Sequence, residues 1–134
     1  MSTSIMELGQ DGSGLSIKLA PSKYPPYVDV TIEAGASPFQ GAITQPLDPD
    51  ELRRWAEELE AAELPCDVQL GGDRSMILKL KVFPQDPEGD EVRTSIEAWL
   101  AWTEDDPYPN LTWLVFGLPD FRADVAEKVR AYLG

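Results

Sequence analysis

Carboxylates are nearly the whole chemical repertoire of this chain. Its 134 residues hold 24 Asp and Glu against 11 Lys and Arg, one cysteine (Cys66) and no histidine. Histidine is the side chain that most often moves protons near neutral pH, and it is a common zinc ligand. Its absence removes the usual base for a nucleophilic serine, so Ser75 and Ser95 have nothing to activate them. No glycine-flanked serine of the hydrolase type occurs. Cys66 sits beside acidic Asp67, the opposite of the electropositive surroundings that activate a thiol. It reads as a small, half-buried strand residue. Gly12-Ser13-Gly14 and Gly71-Gly72 lack the lysine and the helix start that a phosphate cradle requires.

Carboxylates can also ligate hard cations. Asp86, Glu88, Asp90 and Glu97 have the spacing of several ligands of a calcium loop. Yet Glu91 stands where that loop turns on glycine, and Glu97 falls within a predicted strand, so the segment reads as a solvated hairpin loop. No metal, no cofactor and no catalytic residue is expected.

What remains is recognition. A net charge of −13 repels nucleic acid and anionic membranes and attracts cationic partners. Two acidic groups stand out: Glu57, Glu58, Glu60 and Glu63 on a predicted helix, and Glu104, Asp105 and Asp106 in a proline-rich loop with Tyr108. Acids near a helix C-terminus oppose the helix dipole, which points to selection for surface charge. Trp99 adds an aromatic candidate, because it falls on the strand face opposite Ile96, Leu100 and Trp102. Ile77, Leu114 and Phe116 also fall opposite their apolar neighbours, so an apolar strip next to acidic loops is expected, either as a protein-binding surface or as a face covered by the N-terminal segment or a second copy.

The elements that must position these residues follow from periodicity. Residues 1–13 are small and polar and read as a flexible N-terminus, with a single domain over 14–134. Leu15, Ile17 and Leu19 alternate with polar residues, as do Val28, Val30, Ile32 and Ala34, so both runs are strands. Phe39, Gly41 and Ile43 make a shorter strand, hairpinned to its predecessor through Gly35-Ala36-Ser37-Pro38. Asp48 is the N-cap of a helix with Pro49 at its first position and Glu51 three residues after the cap. Leu52, Trp55, Ala56 and Leu59 form its core stripe, and Pro65 stops it near Glu63.

Four more strands are predicted, over Cys66–Leu70, Met76–Val82, Val92–Trp102 and Leu111–Phe116. The last is apolar at nearly every position, the pattern of a central strand covered on both faces. A closing helix follows Gly117-Leu118-Pro119-Asp120, with Phe121, Val125, Val129 and Tyr132 on one stripe. The sequence carries no internal repeat. Short connections predict an α+β fold: one mostly antiparallel twisted sheet of about six to seven strands, with both helices on one face. The single cysteine, the lack of a visible secretory signal and the lack of a long apolar run predict a cytoplasmic protein.

The segment Val28–Ile43 leading into Leu47-Asp48-Pro49-Asp50-Glu51-Leu52, with Trp55 beyond it and Phe116-Gly117-Leu118-Pro119-Asp120-Phe121 before the last helix, resembles the WapI-type immunity proteins and related small bacterial families. The resemblance spans residues 25–133 in pattern. It implies a small α+β protein that binds and neutralises a toxin, and it assigns no site residues. The function expected is therefore a non-enzymatic acidic binding module, a monomer or homodimer, whose partner is a basic toxin domain rather than nucleic acid or membrane. A secretion-chaperone-like adaptor dimer is the first alternative and a carboxylate-based metal-dependent enzyme the second.

Overall fold

Alternating burial along paired strands organises both halves of the chain. The computed structural model describes residues 2–10, 13–71, 76–84, 94–101, 110–117 and 120–134. In the first half, β1 (Thr3–Gln10), β2 (Ser13–Pro21), β3 (Val28–Ala36) and β4 (Phe39–Leu47) form an antiparallel meander in chain order. Helix α1 (Pro49–Ala61) follows. Next, β5 (Cys66–Gly71), β6 (Ile77–Val82), β7 (Thr94–Ala101) and β8 (Asn110–Gly117) form a second meander, closed by α2 (Phe121–Leu133).

The fold is thus two four-stranded antiparallel sheets, not the single sheet expected from the sequence. Every connection within a sheet leads to the neighbouring strand, which fixes each meander locally. The link through α1 is long enough either to continue the first sheet or to start another, and strand periodicity looks the same in both cases. The chain starts another.

The two halves repeat each other in architecture without repeating in sequence. Each is a four-stranded meander followed by a helix of 13 residues. An inward row crosses the first sheet through Met6, Ile17, Ile32 and Ile43. A corresponding row crosses the second through Val68, Leu80, Ala98 and Trp113. The helices pack against each other, α1 also against β5 and α2 also against β1. Their buried residues join the inward faces of both sheets in one core.

Two strands depart from the sequence reading. Residues 3–10, expected within a flexible start, form β1 and bury Ile5 and Met6. A register irregularity between Ser4 and Met6 lets two consecutive residues enter the core, which erases the alternation that would have marked the strand. Strand β8 is not central; it edges the second sheet, and its Leu114 is 48% exposed. The end of the β1–β2 hairpin lies against it. The Trp113 indole N–H donates to the Gly14 carbonyl (3.0 Å), and the Ser13 hydroxyl donates to the Leu114 carbonyl (2.6 Å). Gly117 keeps this seam close, since a Cβ there would come within 2.9 Å of Leu8 Cδ2. A second tie joins the halves where the Met76 N–H donates to Gln45 Oε1 (2.7 Å).

Candidate partner-binding surfaces

Helix α1 presents the first acidic group. Asp48 has extended backbone angles and accepts the Asp50 N–H at 2.8 Å, so the helix starts as its N-cap and Pro49 predict. Asp50 and Glu51 in the first turn complement the dipole there. The last turn contains no basic residue, which leaves its carbonyls and the nearby acids without a local cation.

The missing cations come from α2. Arg122 donates from Nη1 to the carbonyls of Leu59 (3.1 Å) and Ala62 (2.7 Å), the last of which is the α1 C-cap. Arg130 donates to both carboxylate oxygens of Glu60 at 3.1 Å. Its guanidinium is held above its usual pKa, first by that hydrogen bond and then by the Glu60 charge, with Glu57 and Glu127 adding to the effect. The acids at this helix end are therefore not simply endured at the expense of α1. Two arginines from the other half offset the helix terminus and Glu60.

This divides the sequence candidates. Glu60 serves the contact between the helices. Glu57, Glu58 and Glu63 are exposed and form no ion pair among the described residues. Elsewhere Lys18 pairs with Glu33, Arg53 with Asp50 and Lys128 with Asp124. Much of the basic minority is therefore spent inside the molecule.

Trp99 lies elsewhere. It occupies the outer face of the second sheet, while α1 belongs to the core on the inner face. Lys79, directly opposite on β6, places its ammonium 4.8 Å from the Trp99 ring centroid. Next to them Lys81 stands 5.7 Å over Phe83. The expected apolar strip is interrupted: Lys79, Lys81 and Glu97 share its face, Ile77 is fully buried, and Trp99 and Phe116 are half-buried. Trp99 and the α1 acids thus do not form one surface. Glu104, Asp105, Asp106 and Tyr108 lie outside the described residues, as do Asp86, Glu88 and Asp90.

Sequence reasoning missed a cleft at the seam between the halves. It has a volume of about 500 Å³ and lies between β1, β8 and the first turn of α2. Leu8, Phe116 and Phe121 give it apolar walls, and Glu7, Asp120 and Asp124 stand at its rim. Asp120 precedes α2 without bonding to its backbone as a side-chain cap. Because β1 was not recognised as a strand, nothing in the sequence placed Glu7 near α2.

Among the described residues, no three His, Cys, Asp or Glu side chains are grouped to hold a metal ion. No described helix is long and apolar enough to cross a membrane. Cys66 is a free, half-buried thiol at the start of β5. No family model, curated protein or solved structure matches the chain.

Proposed function

We propose that this chain is a non-enzymatic binding module that docks a basic protein partner through the acidic end of α1, acting in the cytoplasm as an immunity protein against a cationic toxin domain. One observation carries the reading. Arg122 and Arg130 offset the helix terminus and Glu60, while Glu57, Glu58 and Glu63 remain exposed and unpaired among the described residues. Acidic side chains held in no ion pair among the described residues can meet cations on another molecule with little rearrangement. Complementary charge of this kind speeds encounter and suppresses like-charged competitors. A toxin that acts on nucleic acid carries the cationic groove such a surface fits.

The test is salt-dependent co-purification, followed by identification of the retained protein and reassembly from pure components. The Glu57→Lys, Glu58→Lys double variant should associate about tenfold more slowly at low salt, with the difference shrinking as salt screens it. Equal association rates for the variant and the parent chain would reject the α1 surface. Failure to retain any partner at low salt would count against the function itself.

A further inference from the structure

We infer that the seam cleft between β1, β8 and α2 receives an arginine side chain from an extended basic segment of the partner, an inference that rests on the reading of the chain as a binder of cationic proteins. The chemistry of the walls selects this occupant. Leu8, Phe116 and Phe121 line the cleft with apolar surface that suits the side-chain stem. Glu7 and Asp120 are exposed carboxylates at the rim, where a guanidinium can take paired, charge-assisted hydrogen bonds. Asp124 also lines the cleft, but it already holds Lys128 at 3.0 Å, so Glu7 and Asp120 are the acceptors left for an incoming cation. An anionic ligand would meet three carboxylates, and a purely aliphatic one would make no use of Glu7 and Asp120.

The cleft also adjoins the first surface. Phe121 and Asp124 face it, while Arg122 on the same turn of α2 reaches the carbonyls at the end of α1. A segment lying across the first turn of α2 could therefore place one cation in the cleft and others near Glu58 and Glu63. Arginine suits the cleft better than lysine, because its guanidinium carries five donors and is more weakly hydrated than an ammonium.

The experiment titrates the full chain with n-butylguanidinium, a mimic of the arginine side chain, and with neutral n-butylurea as its isostere, following backbone amide shifts. The expected result is saturable shifts confined to residues 7–9, 116–117 and 120–125 for the guanidinium alone. The Glu7→Gln, Asp120→Asn double variant should weaken its binding about tenfold while melting at the parent temperature. Shifts that do not saturate, that centre on Glu57 and Glu58, or that butylurea reproduces would overturn the inference. The two readings separate with a purified basic partner. If Glu57→Lys, Glu58→Lys slows its association and Glu7→Gln, Asp120→Asn leaves affinity unchanged, the cleft fails and the binding function stands. If butylguanidinium saturates the cleft but no partner is retained at low salt, the cleft stands as an arginine site and the toxin-binding function fails.

Discussion

The Nη1 of Arg122 lies 2.7 Å from the carbonyl oxygen of Ala62, so the second helix of the fold caps the first. This contact joins the two halves and supplies the positive charge that the last turn of α1 lacks. Arg122→Met, which keeps most of the stem and removes the donors, should lower stability by about 1.5–3 kcal/mol, the range for hydrogen bonds to a charged group. Arg122→Lys should recover part of the loss, since an ammonium still faces the helix end but lacks the guanidinium fork. Urea denaturation of the three chains checks this. Equal midpoints for Met and Arg would mean that the cap adds nothing to stability.

The second link between the helices should behave differently. Arg130 and Glu60 are both well exposed, so solvent and salt screen their attraction. Glu60→Gln should lower the melting temperature slightly at low ionic strength and not at all in high salt. A loss that persists in high salt would show that the pair acts through packing or hydrogen-bond geometry rather than charge. With Glu60 replaced, Glu57 and Glu127 still lie near Arg130, so Arg130→Gln should cost more than Glu60→Gln at low salt.

Two tryptophans offer a controlled comparison. Trp55 and Trp113 are both buried, at 1% and 5% exposure. The Trp113 N–H donates to Gly14, whereas the buried Trp55 N–H has no hydrogen-bond partner among the described residues. Replacement by Phe removes similar volume at each site. At position 113 it also removes the donor that the Gly14 carbonyl accepts, whereas at position 55 no bond among the described residues is lost. Trp113→Phe should therefore be the more destabilising by about 1–2 kcal/mol, measured by chemical denaturation. The reverse order would place an ordered water or another acceptor at Trp55.

Some elements were legible in the sequence and others were not, for physical reasons. Strand β3 alternates cleanly and is covered on one face, so Val28, Val30 and Ile32 announce it. Helix α1 carries its own start signal in Asp48 and Pro49. Strand β1 was hidden because the irregularity before Met6 spoils the period and its flanking residues are small and polar. The split into two sheets was hidden because pairing is a relation between distant residues, and a linking helix leaves no mark of where the next strand docks. The same limit applies to function. Acidic residues are visible one by one, but their partners are not: Glu60 and Glu57 read alike until Arg130 comes across from α2. The seam cleft needs β1, β8 and α2 together, and no local pattern contains all three.

Gly9 offers the sharpest test of that seam. Its φ of 145° is one that side-chain-bearing L-residues rarely adopt, and a Cβ would lie 2.5 Å from the Ser13 carbonyl oxygen and 2.7 Å from Gly14 Cα. Both obstacles are backbone atoms, so a substitution can be relieved only by moving the hairpin. Gly9→Ala should then destabilise by about 1–3 kcal/mol, the scale of a forced backbone conformation. The displaced strand is the one whose Gly14 carbonyl receives the Trp113 N–H and whose Ser13 hydroxyl reaches Leu114. Once the hairpin has shifted, the Trp113 bond is already weakened, so Gly9→Ala combined with Trp113→Phe should cost less than the sum of the two. Gly9→Ala with Trp55→Phe should be additive, because those sites share no partner. Equal additivity in both pairs would show that Gly9 strain is absorbed within the turn and never reaches β8.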